Sequence, residues 1–313
     1  MNPEYLPMNN SEVLDRVFEV YKRSFAKQLL YSLVVGAIAS AGGVLLLVFG
    51  SVLAFAVFTI ETSFIVSIAI IVGVALIFFM AWTSATNAGF ILLSKPAFYG
   101  KKVELPMKQL AHTIFRLASA IIAQALISVP FVIVFAVLFY FLFDTVLVSS
   151  ILDTFVLNHA FQVAGAFGTV LIIGLVIGFL YIIYSNFFFL VVSVAVFEKK
   201  IFFGSLGRAY ELIKGDFWQI LGLRTIWYLI ITIISTSAAQ MMLAFTTLAE
   251  LFAANTSLVF IAMVMTIVFN ILAFGISFLI APLSGIMPAV IYFNQRIKKE
   301  GMGIEIQIER LKT

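Results

Sequence analysis

Six apolar stretches, separated by polar gaps that alternate between basic and non-basic, constrain this chain more than any motif in it. A helix crossing a hydrocarbon layer needs about 20 apolar residues. Leu29–Phe58, Phe64–Leu93, Leu117–Phe143, Phe161–Phe197, Thr225–Ala249 and Leu258–Phe293 all reach that length. In lipid the backbone polar groups of a lone segment have to be satisfied within it, so these stretches predict helices. The predicted fold class is all-α: a polytopic membrane protein with six transmembrane helices as three hairpins, carrying cytoplasmic amphipathic helices. No polar gap exceeds about 30 residues, too short for an independent core. The expected organisation is an amphipathic N-terminal helix over 1–28, a membrane domain over 29–293 with cytoplasmic loops 94–116 and 198–224, and a cytoplasmic tail over 294–313.

Charge sets the orientation. Arg16, Lys22, Arg23 and Lys27 precede the first span; Lys95, Lys101, Lys102, Lys108 and Arg116 follow the second. Lys199, Lys200, Arg208, Lys214 and Arg224 follow the fourth, and Arg296, Lys298, Lys299, Arg310 and Lys312 come at or after the end of the sixth, which accounts for all 19 Lys and Arg. The opposite gaps hold Glu61, Asp144, Asp153 and Glu250 and no basic residue. The positive-inside rule then puts both termini in the cytoplasm. Composition agrees: 63% of residues are apolar and 11% charged, against about half and a quarter in a soluble domain. The absence of cysteine excludes disulfides, thiol catalysis and cysteine-ligated metal, and suits a bacterial inner membrane. Residues 1–28 are polar and mixed in charge, so the first span is expected to serve as its own insertion signal.

No Asp, Glu, Lys or Arg falls well inside a span, which argues against a proton relay, a voltage sensor or a path for a charged substrate. The polar residues there are Asn87, Gln124, Asn186, Gln240 and Asn270. Such residues hydrogen-bond between helices or line a groove, and these five are the candidate groove-lining set. Gly36 with Ser40, and Gly174 with Gly178, have the spacing that lets helices approach closely. Spans four and six would run about 55 Å as straight helices, well past a hydrocarbon core of about 30 Å, so each must tilt, break or project. Pro282 and Pro288 predict a kink near the cytoplasmic end of span six, and Pro130 predicts one in span three.

Leu14–Phe25, LDRVFEVYKRSF, returns as Leu206–Phe217, LGRAYELIKGDF, with Leu, Arg, Glu, Lys and Phe shared at a fixed offset. Both copies place apolar residues at helical spacing, so each predicts an amphipathic helix leading into a span. Asn9 with Glu12 reads as a capping box opening the first. Ser205 is a plausible N-cap for the second. Met107–Arg116 takes the equivalent place before span three without matching the other two, so a threefold repeat would have a diverged middle unit. Arg16, Lys22, Arg23, Lys27, Arg208, Lys214 and Arg296 lie at the membrane edge, where basic residues attract anionic headgroups or contact a partner membrane protein.

Catalytic constellations are missing. The two histidines, His112 and His159, fall on opposite sides of the predicted membrane, leaving no nucleophile a base in reach. Asp144, Asp153, His159 and Glu250 match no metal-ligand spacing. Phe203-Gly204-Ser205-Leu206-Gly207 lacks the preceding strand and following lysine of a phosphate loop. The basic residues are spread over four segments, whereas nucleic acid needs a clustered patch. The expectation is no enzyme, no cofactor and no nucleic-acid partner.

The closing stretch Ile291–Glu305, IYFNQRIKKEGMGIE, together with LDRVFEVYKRSF and the Lys214-Gly215 turn, resembles a bacterial family of multi-pass proteins. It is labelled glycerophosphoryl diester phosphodiesterase membrane-domain-like, and its members begin LDRxFxxYKxxF and end YYDxRxRKEGxDLE. Here Phe293, Asn294 and Gly303 depart from that ending. The resemblance implies a six-helix membrane domain without the separate soluble barrel that carries the phosphodiesterase activity, so no catalytic residue is carried over. Beyond it, Ile304 to Glu309 alternates like a strand, while Ile304, Ile308 and Leu311 fit one helix face; the family layout favours helix.

The function expected is that of a non-enzymatic accessory or scaffold of the cytoplasmic membrane, acting on lipid or partner membrane proteins. The alternatives are a carrier for an uncharged or lipidic compound through a groove near Asn87, Asn186 and Asn270, and protection against membrane-active peptides or toxins.

Overall fold

The computed structural model describes residues 6–59, 64–142, 157–253 and 259–301. Among them the helices are, in order, α1 (Asn10–Thr59), α2 (Phe64–Phe98), α3 (Met107–Leu142), α4 (Leu157–Phe187), α5 (Val191–Phe197), α6 (Phe202–Ile213), α7 (Phe217–Ala253), α8 (Val259–Ile280) and α9 (Leu283–Glu300), and there is no strand. Six stretches are long and apolar enough to cross a membrane. The protein is thus all-helical and of multi-pass character.

α1 is one unbroken helix of 50 residues, about 75 Å at 1.5 Å per residue, so its first turns lie beyond any bilayer core. It opens with the expected capping box: Asn9 Oδ1 accepts from Glu12 N (3.0 Å), and Asn9 N donates to Glu12 Oε2 (2.9 Å). Both overlong stretches break. The fourth divides into α4 and α5 around Phe188–Leu190, and the sixth into α8 and α9 at Ala281-Pro282. α3 and α2 each continue through an internal proline, Pro130 and Pro96.

Burial is confined to one end. Among the described residues every buried position falls within 13–39, 84–98, 113–123, 186–213, 220–227 or 282–297. These positions lie next to the basic gaps, so the four basic segments converge on one core, while the described side chains in the other halves of the long helices are exposed or half-buried. α9 is the centre of that core. Gly285 to Gln295 are buried without interruption, three turns enclosed on every side, as only a central helix can be. The closing aromatics of three separate stretches meet on it. Phe293 stacks with Phe98 of α2 (ring centroids 4.8 Å) and Phe197 of α5 (4.8 Å), while Tyr292 stacks with Phe197 at 5.2 Å.

Close approach at this end depends on glycines. A Cβ on Gly89 would lie 2.0 Å from the Tyr31 ring, one on Gly285 2.6 Å from Phe90 Cβ, and one on Gly36 2.8 Å from Phe278. Gly36 therefore packs as its spacing predicts. Gly174 and Gly178 do not: a Cβ at either meets nothing within 4 Å, because α4 presents that region to the surroundings. A second correction concerns Ser205. α6 begins three residues earlier, at Phe202, with Ile201 in the cap position, and Ser205 Oγ donates to Phe202 O (2.6 Å) inside the first turn. Asp144, Asp153 and the tail over 302–313 lie outside the described residues.

Candidate lipid-facing cleft

The basic end is closed by an ionic latch around α9. Glu198, just past α5, accepts both Arg208 Nε contacts (3.0 and 3.1 Å) and the Tyr292 hydroxyl (3.1 Å). Arg208 also pairs with Glu211 (3.3 Å) and Glu300. Burial disfavours the Arg208 charge, but its hydrogen bonds and charge pairing with Glu198 and Glu211 outweigh that and raise its pKa above the usual arginine value. Lys299 Nζ donates to Leu212 O (2.7 Å) and Lys214 O (2.6 Å), satisfying carbonyls at the end of α6 where the chain turns through Gly215 at φ +98°. Lys298 pairs with Asp216. At the other terminus Met8 N donates to Asn294 Oδ1 (2.9 Å), and Asn294 Nδ2 to Met8 O (3.2 Å).

Four of the seven predicted edge cations, Arg16, Arg23, Arg208 and Arg296, are engaged within the chain. Arg16 is buried over the Phe98 ring (5.1 Å) and donates to Phe98 O (3.0 Å). Arg208 sits in the latch, and Arg296 pairs with Glu300 (2.7 Å). Arg23 pairs with Glu19 (2.5 Å), and Lys22, Lys27 and Lys214 have exposed side chains. The two copies of the Leu14 motif bury matching positions: Val13, Val17 and Val20 in α1, and Ser205, Ala209 and Leu212 in α6. In each the arginine pairs with the glutamate three residues on.

Above the core, where α1 and α2 meet the α8–α9 break, lies a cleft of about 310 Å³. Its walls are Val35, Phe79, Trp82, Phe90 and Phe278; its polar groups are Ser32, Thr83, Thr86, Asn87 and Ser284; Gly36 and Ala281 complete it. No charged side chain lines it. Phe79 is 56% and Trp82 41% exposed, so the mouth opens sideways, between the exposed apolar faces of the helices. The chain orders these groups. α1 runs away from the basic end and α2 runs toward it, so Ser32, Thr86 and Asn87 sit nearer that end, with Val35, Phe79 and Trp82 farther along.

Of the five candidate groove residues, the cleft takes Asn87 alone. Its Nδ2 donates to Thr83 O (2.9 Å). Asn186 is fully buried elsewhere and donates to Phe217 O (3.3 Å), tying α4 to the start of α7. Gln124 is half-buried on α3, Gln240 is exposed on α7, and the Asn270 side chain lies outside the described residues. Ser32, Thr83, Thr86 and Ser284 went unnoticed in the sequence because hydroxyl residues in apolar helices commonly bond their own backbone, as Thr83, Thr86 and Ser284 do here. His112 is exposed on α3; the side chains of His159 and Glu250 lie outside the described residues, among which no cluster of metal-binding side chains occurs. No protein-family model, curated protein or solved structure matches the chain.

Proposed function

We propose that the chain is a non-enzymatic accessory protein of the cytoplasmic membrane that holds and organises bilayer lipid. Three hairpins, each entered from the cytoplasmic face, are gathered there by α9. The meeting of Phe98, Phe197 and Phe293, and the matching burial in α1 and α6, support reading them as copies of one unit. Exposed Lys22, Lys27 and Lys214 would attract anionic headgroups around that face, while the arginines hold the latch.

One observation carries this reading: among the described residues burial is confined to the basic end, and an uncharged cleft opens above it toward the apolar helix faces. A carrier would need a route past α9, and that helix is enclosed by its neighbours. Lipid binding therefore fits better than passage across the membrane. The test is native mass spectrometry of protein taken from nanodiscs of phosphatidylglycerol and phosphatidylethanolamine that also contain a minor fraction of diacylglycerol, and stripped with detergent. One lipid per chain should persist at collision energies that remove the annular shell. A chain that emerges bare under those conditions overturns the reading.

A further inference from the structure

We infer that the cleft selects a lipid with an uncharged, hydroxyl-bearing polar end, of the diacylglycerol type, taken from the leaflet on the basic side. The inference rests on the lipid-binding reading above and adds the class and pose of the occupant. Its first support is the order of groups along the cleft. A lipid of that leaflet has its polar end toward the basic face and its chains toward the midplane, and Ser32 and Asn87 precede Val35, Phe79 and Trp82 in the same sense. Ser32 lies five residues beyond Lys27 on α1, about 8 Å deeper, the level of the boundary between headgroups and chains.

The second support is an unmet hydrogen-bonding group. Ser32 is 6% exposed, lines the cleft, and its hydroxyl has no partner among the described residues. The hydroxyl is free to pair with an ester or hydroxyl oxygen entering the cleft. Within the cleft Ser32 Oγ can donate, Asn87 Oδ1 can accept while its Nδ2 is held by Thr83 O, and no charged side chain is present. A phosphate pushed to this depth would be desolvated with no cation lining the cleft to meet it, whereas a glycerol hydroxyl and ester would be matched. The volume is at the small end for ligand clefts, about 300 to 1,000 Å³. It takes the glycerol end and the upper part of one chain, the remainder staying in the bilayer.

The test uses full-length protein in phosphatidylcholine nanodiscs containing a minor fraction of either diazirine-labelled diacylglycerol or diazirine-labelled phosphatidylglycerol, with the photoreactive group on the acyl chain. Crosslinked sites are mapped by peptide mass spectrometry. Diacylglycerol should label Val35, Phe79, Trp82 or Phe278 at about fivefold the yield of phosphatidylglycerol, and Ser32→Ala should erase most of that ratio, as the loss of one hydrogen bond would. Ser32→Ala replaces one small helix residue by a better helix former, so folding is retained, and Asn87→Ala provides an independent variant. Equal yields from the two probes sink the selectivity and leave lipid binding standing. Absence of labelling at these four residues by either probe sinks both.

Discussion

Phe197 and Phe293 stack with ring centroids 4.8 Å apart and planes inclined by 39°, and Phe98 lies at the same distance from Phe293. Phe293 is 1% exposed, so truncation cannot be offset by solvent and leaves a cavity where three stretches meet. Phe293→Ala is expected to lower stability by about 3–5 kcal/mol, with Phe293→Leu costing less. Unfolding in mixed micelles measures both. A wild-type midpoint for Phe293→Ala would mean the junction is held elsewhere.

Glu198 joins α5 to α6 and α9 through Arg208 and Tyr292, at side-chain exposures of 13% for Glu198 and 20% for Arg208. That is dry enough for the pair to exceed a surface ion pair but wet enough to fall short of a fully buried one. Glu198→Gln should cost about 2 kcal/mol and Tyr292→Phe about 1 kcal/mol. Because the two share an acceptor, the double variant should cost less than the sum by at least about 0.5 kcal/mol. Strict additivity in a double-mutant cycle would show that the hydroxyl and the guanidinium do not act as a network.

The glycines divide by what faces them. At Gly89 a Cβ would fall 2.0 Å from the ring of Tyr31, whose hydroxyl donates to Ala85 O (2.6 Å) and cannot swing aside without losing that bond. Gly89→Ala should therefore destabilise by about 1–3 kcal/mol. Gly174→Ala and Gly178→Ala meet open space and should be neutral or stabilising by up to about 1 kcal/mol through helix propensity. Thermal denaturation of the three variants in one detergent decides it, and the reverse order would refute the packing described.

This contrast marks how much was legible in the chain. Apolar length and the three-residue spacing of Asn9 and Glu12 are local properties, and they predicted six crossing stretches and the cap that opens α1. The breaks at Phe188–Leu190 and Ala281-Pro282 were foreshadowed by the length of their stretches and, in the second, by proline. What a glycine packs against is a matter of tertiary neighbours, so spacing flagged Gly36 and Gly174 alike though only one has a partner. α9 was invisible as a centre for a related reason. Its Asn294, Gln295 and Arg296 look like an exposed exit from the membrane, yet Asn294 bonds Met8 across 286 residues of sequence. The cleft was legible only at Asn87. Ser32 has nothing in its neighbourhood to distinguish it from any serine in an apolar helix.

Sidedness is tested at Lys101 and Lys199, which sit in separate gaps and outside the helices. Convergence of those gaps on one core requires both positions to face the same compartment, and the positive-inside rule makes it the cytoplasm. Lys101→Cys and Lys199→Cys introduce single thiols into a chain that has none. Both should react with a membrane-impermeant maleimide in inverted vesicles and be protected in intact cells. Labelling of one from each side would dismantle the arrangement.

Asn87 and Asn186 share a residue type and a place near the end of an apolar stretch, but the structure gives them different work. Asn186 is fully buried, makes one 3.3 Å bond to Phe217 O, and leaves Oδ1 unpaired. A half-satisfied buried amide contributes little net, so Asn186→Leu should change stability by no more than about 1 kcal/mol and leave lipid retention intact. Asn87 bonds only within its own helix, to Thr83 O, so Asn87→Leu should be equally mild for folding. It removes the one amide from the cleft, however, and the lipid retained in native mass spectra should fall severalfold. Measured side by side, the two substitutions separate a helix tie from a ligand contact. Loss of lipid in Asn186→Leu with retention in Asn87→Leu would move the binding site to the α4–α7 junction.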